Sequence, residues 1–250
     1  MSRVRQLLLS VLGEKRYLRL LAFSFQQLYK TGRLGLEYQD IYFLKRLVRP
    51  GDYCIDIGAH LGYFTLELSR LVGNNGRVYA IEPMTKFYQT LSYLLKRYKA
   101  DNVTLEQYAM GAPGDFVEMG IPRVNRVKKF AYARAVEFST FMEYVESEKV
   151  KNIRGDLHFA PLPRLDFIKC DVEGLELSVF SGFRELIGKY KPVILCELGD
   201  PKERIKLLDL LKPFGYQLFH LDNKELKPLD TESEIHTVSH NHYFLPAHKR

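Results

Sequence analysis

The chain has only three cysteines and no long apolar run, and these two features exclude several classes of protein. Cys54, Cys170 and Cys196 each lie within an apolar segment. This pattern favours buried free thiols in a reducing compartment over a disulfide framework or a metal cluster. No apolar stretch has the length of a membrane span, and the basic, apolar start is too short for a secretion signal. We therefore expect a cytoplasmic protein.

The composition is that of a globular protein with an excess of positive charge. Hydrophobic residues make up 46% of the 250 residues and charged residues 27%, which fits one α/β domain with a small appendage. The net charge of +7 favours anionic partners. It does not choose among phosphate esters, acidic sugars, nucleic acid and a membrane surface. Much of the excess lies in residues 1–33 and 123–134.

Residues 3–30 are predicted to be helical and to form an N-terminal arm. Apolar stripes at helical spacing divide into two helices, with Gly13 between them. Two alternatives are open for this arm. It packs on the main domain or on a second subunit of a homo-oligomer, or it lies on a membrane surface, as basic amphipathic helices do. We assign residues 1–37 to the arm and residues 38–250 to the main domain.

The segment YCIDIGAHLGYFT, residues 53–65, organises the rest of the chain. A short apolar strand carries Asp56 near its end, Gly58 and Gly62 follow, and an apolar-periodic helix comes next. Glycine adopts the unusual backbone angles of such a turn and lets a ligand approach closely. The helix N-terminus then offers free N–H groups to an anionic part of the ligand. The pattern indicates a nucleotide-type cofactor site.

Strands alternate with helices along the rest of the chain, which predicts a mostly parallel sheet with helices on both faces. The predicted strands are 53–57, 77–82, 103–108, 165–170, 192–196, 216–222 and 242–246. The segment between the third and fourth strands is the least regular. There we predict an edge strand at 116–122, a loop at 123–134 and a helix at 136–150.

The glycine spacing favours S-adenosylmethionine over a dinucleotide. From Gly58 the turn reads G-A-H-L-G, so the middle glycine that a pyrophosphate requires is missing, and His60 lies in the turn. Asp56 would repel a phosphate but suits an ammonium group. Glu82 ends the second strand, where dinucleotide folds place an acid on ribose hydroxyls. S-adenosylmethionine has an ammonium, a sulfonium and ribose hydroxyls. A dehydrogenase that binds NAD is the competing class.

Five blocks of the sequence resemble the FkbM-type methyltransferases. They are DIGAHLGYFTLEL (56–68), GRVYAIEP (76–83), DNVTLEQYAMG (101–111), DFIKCDVEGLELSVFSGF (166–183) and KPVILCELG (191–199). The resemblance covers about residues 38–246, and its most specific block is IK-x-DVEG-x-E. It implies the Rossmann-like class I methyltransferase fold with a mostly parallel seven-stranded sheet. It also implies S-adenosylmethionine as the donor and, usually, a hydroxyl acceptor on a sugar or natural product.

The chain departs from the family pattern in two places. His60 stands where the family usually has Asn, and residues 119–164 match poorly. The predicted cofactor-binding residues surround the turn and the ends of the next two strands: Asp56, Gly58, Ala59, His60, Gly62, Glu82 and Ala109. We expect His60 to act through its backbone. Ala109 occupies the place where many such enzymes have an acid near adenine.

Asp171 and Glu173 are the predicted catalytic residues. They follow the fourth strand, which lies beside the first at the point where the strand order reverses, so they should face the transferable methyl. A carboxylate there can accept the proton of an alcohol, directly or through water. The alternative is structural: Glu173 caps the next helix and Asp171 orders the loop. Asp171→Asn is expected to lower turnover and to leave cofactor affinity nearly intact.

A metal site is the less favoured alternative at the same sheet edge. Asp171 and Glu197, at neighbouring strand ends, offer oxygen ligands for Mg²⁺, but Leu198 stands where a third ligand is expected. We therefore predict no metal. The spacing of the C-terminal histidines matches no metal signature, and we expect surface positions for His220, His236, His240 and His242.

The sequence thus predicts an S-adenosylmethionine-dependent O-methyltransferase acting on a hydroxyl of a carbohydrate or of a glycosylated or natural product. A nucleic-acid methyltransferase and a non-catalytic cofactor-binding module are the alternatives. The basic segment 123–134, with Phe130 and Tyr132 among its cations, leaves three functions open. A lid for an anionic acceptor, such as a phosphate or uronate, and a solvated loop rank equally. Binding of single-stranded nucleic acid ranks third.

Overall fold

The computed structural model describes residues 3–111, 114–124, 127–136, 143–237 and 241–247. The helices are α1 (Arg3–Lys30), α2 (Gln39–Phe43), α3 (Tyr63–Val72), α4 (Thr85–Tyr98), α5 (Gly155–His158), α6 (Glu176–Ser181), α7 (Arg184–Tyr190), α8 (Pro201–Leu211) and α9 (Glu232–Thr237). The strands are β1 (Tyr53–Ile57), β2 (Arg77–Ile81), β3 (Val103–Glu106), β4 (Ala109–Met110), β5 (Phe116–Val124), β6 (Val127–Lys128), β7 (Arg134–Ala135), β8 (Glu143–Ile153), β9 (Phe167–Cys170), β10 (Val193–Glu197), β11 (Tyr216–Asp222), β12 (Glu225–Pro228) and β13 (Asn241–Pro246).

The main sheet confirms the predicted class I methyltransferase fold. Its order is β12-β11-β13-β10-β9-β1-β2-β3. The pairs from β10 to β3 are parallel, and β13 pairs antiparallel with both β10 and β11. The strand order reverses between β1 and β9, so the carboxyl ends of these two strands frame the crevice where such sheets bind ligands.

The main sheet is mostly parallel, as predicted, but it has eight strands where seven were predicted. β12 joins β11 through a tight turn in which Asn223 (φ 48°) and Lys224 (φ 67°) both have positive φ. Positive φ at both central residues matches the twist of a two-residue hairpin. The predicted pairing of 216–222 with 242–246 is confirmed as β11 and β13.

A second, five-stranded sheet replaces the predicted helix at 136–150. β8 covers the second half of that range and pairs antiparallel with β5, for example Val117 with Val150. Residues 137–142 lie outside the described residues. The predicted loop at 123–134 is also wrong in part, because it contains β6, a 3₁₀ turn at Phe130–Tyr132 and the start of β7. Long-range pairing with β5 overrides the helical propensity of the Glu- and Lys-rich segment.

The arm packs on the main domain through the C-terminal part of α1. Gly13 (φ 70°) interrupts the helix, as predicted. Beyond it, Leu18 and Ala22 are fully buried, and the ring of Phe25 stacks on Tyr63 at 3.7 Å between centroids. Tyr63 is the first residue of α3, so the arm supports the helix that follows the glycine turn. Within the described residues, no helix is long and apolar enough to cross a membrane.

The cysteines are buried and free, as predicted. One histidine expectation is wrong: His242 lies in β13 opposite Cys196 and is fully buried. His242 is shielded from solvent because β13 lies inside the sheet, between β10 and β11. His220 is partly buried, His236 is exposed, and His240 lies outside the described residues.

Candidate active site

The glycine turn after β1 is set by a close approach of two backbone segments. Gly58 has φ +79°, and a Cβ placed there would lie 1.8 Å from the backbone oxygen of Asp171. The backbone N–H of Asp171 donates to the carbonyl oxygen of Ile57 at 3.0 Å. Glycine at 58 is therefore required by the contact between the loops after β1 and β9, before any ligand is considered.

Replacement of Gly58 by alanine should destabilise the protein far more than replacement of Gly51. Both glycines have a positive φ, but only Gly58 lies against another backbone segment. Gly51 has φ +88° and nothing within 4 Å of a built Cβ. We expect Gly51→Ala to cost about 1 kcal/mol from the left-handed backbone alone. Gly58→Ala adds a backbone collision and should cost about 3 kcal/mol or more. Urea unfolding of the two variants checks this, and equal losses would contradict the close approach.

Glu82 holds the turn in place from the end of β2. One carboxylate oxygen accepts the backbone N–H of His60 at 2.7 Å, and the other accepts that of Met84 at 2.9 Å. The side chain is almost fully buried, and burial raises its pKa to about 8 although both N–H bonds oppose the rise. Each oxygen has a second acceptor position, so the carboxylate can also meet ligand hydroxyls.

Asp56 lies beneath the turn and outside the cleft. It is fully buried, and one of its oxygens accepts the hydroxyl of Thr65 at 2.6 Å. The other oxygen is 3.9 Å from the amine of Lys169, its register partner on β9. Burial raises the pKa of Asp56, while Lys169 and Thr65 oppose the rise. The cation beside Asp56 is therefore Lys169, which occupies the position predicted for the ammonium group of a ligand.

Lys169 lines the candidate site, and the sequence analysis did not include it. Its amine contacts Asp171 at 3.0 Å and the carbonyl oxygen of Gly58 at 3.4 Å. Burial opposes the charged form, but Asp171 and Asp56 outweigh it and raise the pKa of Lys169. A lysine inside the otherwise apolar strand FIKC could have revealed it, because buried lysines need a charged partner.

Three carboxylates form an acidic rim above Lys169. Asp171 and Glu173 follow β9, as predicted, and Glu197 ends β10. Burial, and next the charge of Asp171, raises the pKa of both Glu173 and Glu197 to about 7. Among the described residues, no group of three His, Cys, Asp or Glu side chains is arranged to hold a metal ion.

Glu173 is positioned by its backbone and by Arg134. It has φ 58°, an uncommon angle for a residue with a side chain, and its carboxylate pairs with the guanidinium of Arg134 from β7. No side-chain capping bond is present at the N-cap residue of α6, Leu175. Glu176, in the first turn, accepts the backbone N–H groups of Val172 and Gly174 and so orders the loop that leads into the helix. No signal in the sequence could have paired Arg134 with Glu173, because the second sheet brings them together.

The segment that precedes β7 closes over the glycine turn. Phe130 is buried and lies edge-on to Phe87 at 6.3 Å between centroids. The ring of His60 packs on Phe87 at 4.2 Å. Burial lowers the pKa of His60 to about 4, so the ring is neutral. The segment is therefore an ordered lid over the turn, and its aromatic residue is part of the core.

Most described cations of the basic segment have acidic partners in the chain. The pairs are Arg123 with Glu143, Lys128 with Glu14 and Glu146, and Arg134 with Glu173. Arg126 lies outside the described residues. Lys129 lies 5.9 Å from the ring centroid of Tyr132. These charges are largely neutralised within the chain, which weakens the case for a phosphate or uronate lid.

These groups enclose a cleft of about 310 Å³ at the carboxyl edge of the sheet. Of the predicted site residues, the structure brings these to its wall: Gly58, Ala59, His60, Glu82, Asp171 and Glu173. Gly62 directly precedes α3 and does not line the cleft. Ala109, in β4, lines a narrow pocket that adjoins the cleft. A larger cavity, of about 680 Å³, lies elsewhere and has none of these carboxylates. We place the chemistry in the cleft because the charged strand ends meet there.

The order of the main sheet, with a cleft at its carboxyl edge, is that of a class I methyltransferase domain. The chain belongs to the FkbM methyltransferase family, because the profile of the methyltransferase FkbM domain matches residues 56–226, more than half of its length. Its cofactor is S-adenosylmethionine. The dehydrogenase alternative is thereby set aside. No curated protein matches the chain.

Several solved structures are similar to the chain at low identity. Methyltransferase FkbM from Methylobacillus flagellatus KT is 20% identical, with 80% of this chain and 48% of that one covered and a TM-score of 0.47. The precorrin-6y C5,15-methyltransferase from Geobacter metallireducens GS-15 is 16% identical, with 83% and 85% covered and a TM-score of 0.48. An O-methyltransferase from Thermotoga maritima is 15% identical, with 88% and 69% covered and a TM-score of 0.48. The chain spans about half the length of the first of these proteins.

The residues of the cleft fit a cationic nucleoside. Its lining, among the described residues, includes five acids and one lysine, namely Glu37, Glu82, Asp171, Glu173, Glu197 and Lys169. A bound cation would favour the ionised form of Glu82, Glu173 and Glu197, whose pKa values lie at about 7 to 8. Nε2 of His60 is buried and has no hydrogen-bond partner among the described residues, so it can meet a polar group of a ligand. When bound, S-adenosylmethionine supplies an electrophilic methyl group on a positively charged sulfur.

Proposed function

We propose that this methyltransferase transfers the methyl group to a hydroxyl of a neutral acceptor, such as a carbohydrate or a glycosylated natural product. The observation that carries the proposal is the acidic rim with Glu173, whose pKa is about 7. A carboxyl group with a pKa near neutrality is suited to take a proton from an alcohol, because a base works best when its pKa is close to the operating pH.

In this proposal Glu173 is the base and Asp171 is its electrostatic neighbour. The amine of Lys169 holds the carboxylate of Asp171 in its place within the rim. Burial, and next the charge of Asp171, raises the pKa of Glu173, while Arg134 lowers it and pairs with the carboxylate. Glu197 has a pKa in the same range and is the competing candidate. Asp56 acts through Lys169 and not by contact with the cofactor.

The cofactor role proposed for the remaining residues follows from their places on the cleft wall. Glu82 would hold ribose hydroxyls, and the turn Gly58–Ala59–His60 would present backbone groups to the cofactor. Gly62 would serve by starting α3 at the required angle. Ala109 lies beside the cleft, so we assign it only a packing role next to the adenine end.

The charge of the cleft favours a neutral acceptor over nucleic acid. Phosphate backbones need unpaired cations, and the described cations of segment 123–134 are mostly paired. The acids that line the cleft outnumber its one lysine, and those that are ionised would repel a phosphodiester. A uronate acceptor is disfavoured for the same reason.

The test is a panel of acceptors incubated with the purified protein and S-adenosylmethionine, with release of S-adenosylhomocysteine as the readout. We expect turnover with neutral oligosaccharides or glycosylated products and none with RNA or DNA oligonucleotides. Turnover confined to oligonucleotides would support the nucleic-acid alternative. Cofactor binding without turnover on any acceptor would favour the non-catalytic module.

A further inference from the structure

A second cavity lies at the far end of the helix that starts at the cleft. It has a volume of about 680 Å³ and is bounded by the C-terminal part of α1, the C-terminal half of α3 and the segment after α4. No residue lines both this cavity and the cleft. The proposed methyl transfer therefore does not account for it.

The buried acid in its wall is already satisfied within the chain. Glu67 is almost fully buried and accepts two hydrogen bonds from the guanidinium of Arg70. Tyr29 hydrogen-bonds to the same carboxylate, which together with burial raises the pKa of the phenol. Ser69 and Asn102 bond to each other at 2.6 Å. None of these groups needs a ligand.

Two hydrogen-bond donors on residues that line this cavity have no partner in the described part of the chain. Nε2 of Gln26 and the hydroxyl of Tyr98 are buried and have no hydrogen-bond partner among the described residues. Gln26 is only 5% exposed, so its unpaired amide is costly unless something accepts its hydrogen. The amine of Lys30 lies 4.9 Å from the ring centroid of Tyr98, and Lys99 lines the same cavity.

We propose that this cavity binds a small organic anion, whose carboxylate or phosphate accepts hydrogen bonds from Gln26, Tyr98 and Lys30. An acceptor group matches the surplus of donors. A negative charge matches Lys30 and Lys99, which outnumber the remaining acid of the wall, Asp101, because Arg70 and Glu67 neutralise each other. The volume exceeds what a bare ion needs, and the tyrosine rings offer flat surfaces for a body of sugar size.

A ligand bound in this cavity would stabilise the packing of α1 against the main domain. Gln26 belongs to α1, whereas Tyr98 ends α4, so one ligand bridges the arm and the main domain. The neighbouring Phe25 stacks on Tyr63 at the cleft. We expect slower hydrogen exchange in residues 17–30 when the ligand is bound.

Titration calorimetry on the full chain at constant ionic strength tests the proposal. The probes are glucuronate, glucose 6-phosphate, inorganic phosphate and glucose. We expect saturable binding of glucuronate or glucose 6-phosphate, weakened about tenfold by Tyr98→Phe and by Lys30→Met. The exposed lysine variant Lys202→Met is the control and should bind like the wild type. Binding of S-adenosylmethionine is measured in all three variants and should be unchanged.

The two organic probes distinguish a carboxylate ligand from a phosphate ligand. The proposal is overturned if neither binds, if glucose binds equally well, or if Tyr98→Phe and Lys30→Met bind like the wild type. Inorganic phosphate that binds as tightly as glucose 6-phosphate would also overturn it, because the organic body would then not be recognised.

Discussion

Glu173→Gln is expected to lower turnover about 10²- to 10⁴-fold, the usual contribution of a general base. The amide has nearly the same shape but cannot accept the proton of a hydroxyl. The wild-type rate should rise with pH through about 7, since the base must be deprotonated and the pKa of Glu173 lies there. This rise should be lost in the variant, while the affinity for S-adenosylmethionine should change little.

Two further variants make this result specific. Glu185→Gln removes an exposed glutamate charge on α7 and should keep wild-type turnover. Glu197→Gln removes the other carboxyl group whose pKa is about 7. If Glu197→Gln loses turnover and Glu173→Gln keeps more than a tenth of it, the base is Glu197. Titration of ¹³C-labelled glutamate carboxyls by NMR needs no acceptor and checks that both pKa values lie near 7.

Lys169→Met is expected to lower the free energy of unfolding by about 3–5 kcal/mol at pH 8, as removal of one partner of a buried pair does. The change leaves the carboxylate of Asp56 fully buried without a cation. In the folded protein burial raises the pKa of Asp56 above 3.8, so ionisation costs stability as the pH rises through that range. Without Lys169 the pKa rises further, and the loss should be larger at pH 8 than at pH 5.

Urea unfolding at the two pH values measures this loss. The double variant Asp56→Asn/Lys169→Met should recover part of it, because no buried charge is left and Thr65 can still donate to the amide oxygen. Lys202→Met, an exposed lysine, is the control for the loss of a positive charge. A Lys169→Met loss below about 0.5 kcal/mol, or one independent of pH, would refute the buried pair.

The cofactor half of the site could be predicted from sequence because it is local. Gly58, His60 and Glu82 stand at the ends of two consecutive strands, and strand ends of a parallel sheet meet at one edge. Gly58 and Asp56 also make contacts within the chain that the sequence did not indicate. The glycine makes room for the backbone of Asp171, and the acid faces Lys169 inside the fold.

The acceptor half could not be predicted because it depends on pairing between distant strands. The segment of β8 has apolar residues at helical spacing together with Glu and Lys, so its local pattern indicates a helix. Only the ladder to β5 makes it a strand, and that sheet brings Arg134 to Glu173. The eighth strand was missed because β12 is short and mostly exposed, with little hydrophobic pattern to detect.

Titration calorimetry with S-adenosylmethionine is the most direct test of the central claim, that the acidic cleft at the carboxyl edge holds this cofactor. We expect one molecule bound per chain, with affinity strongly reduced in Gly58→Ala and unchanged in Tyr98→Phe, which alters only the distant cavity. Absence of binding for both S-adenosylmethionine and S-adenosylhomocysteine, or full binding by a folded Gly58→Ala variant, would contradict it.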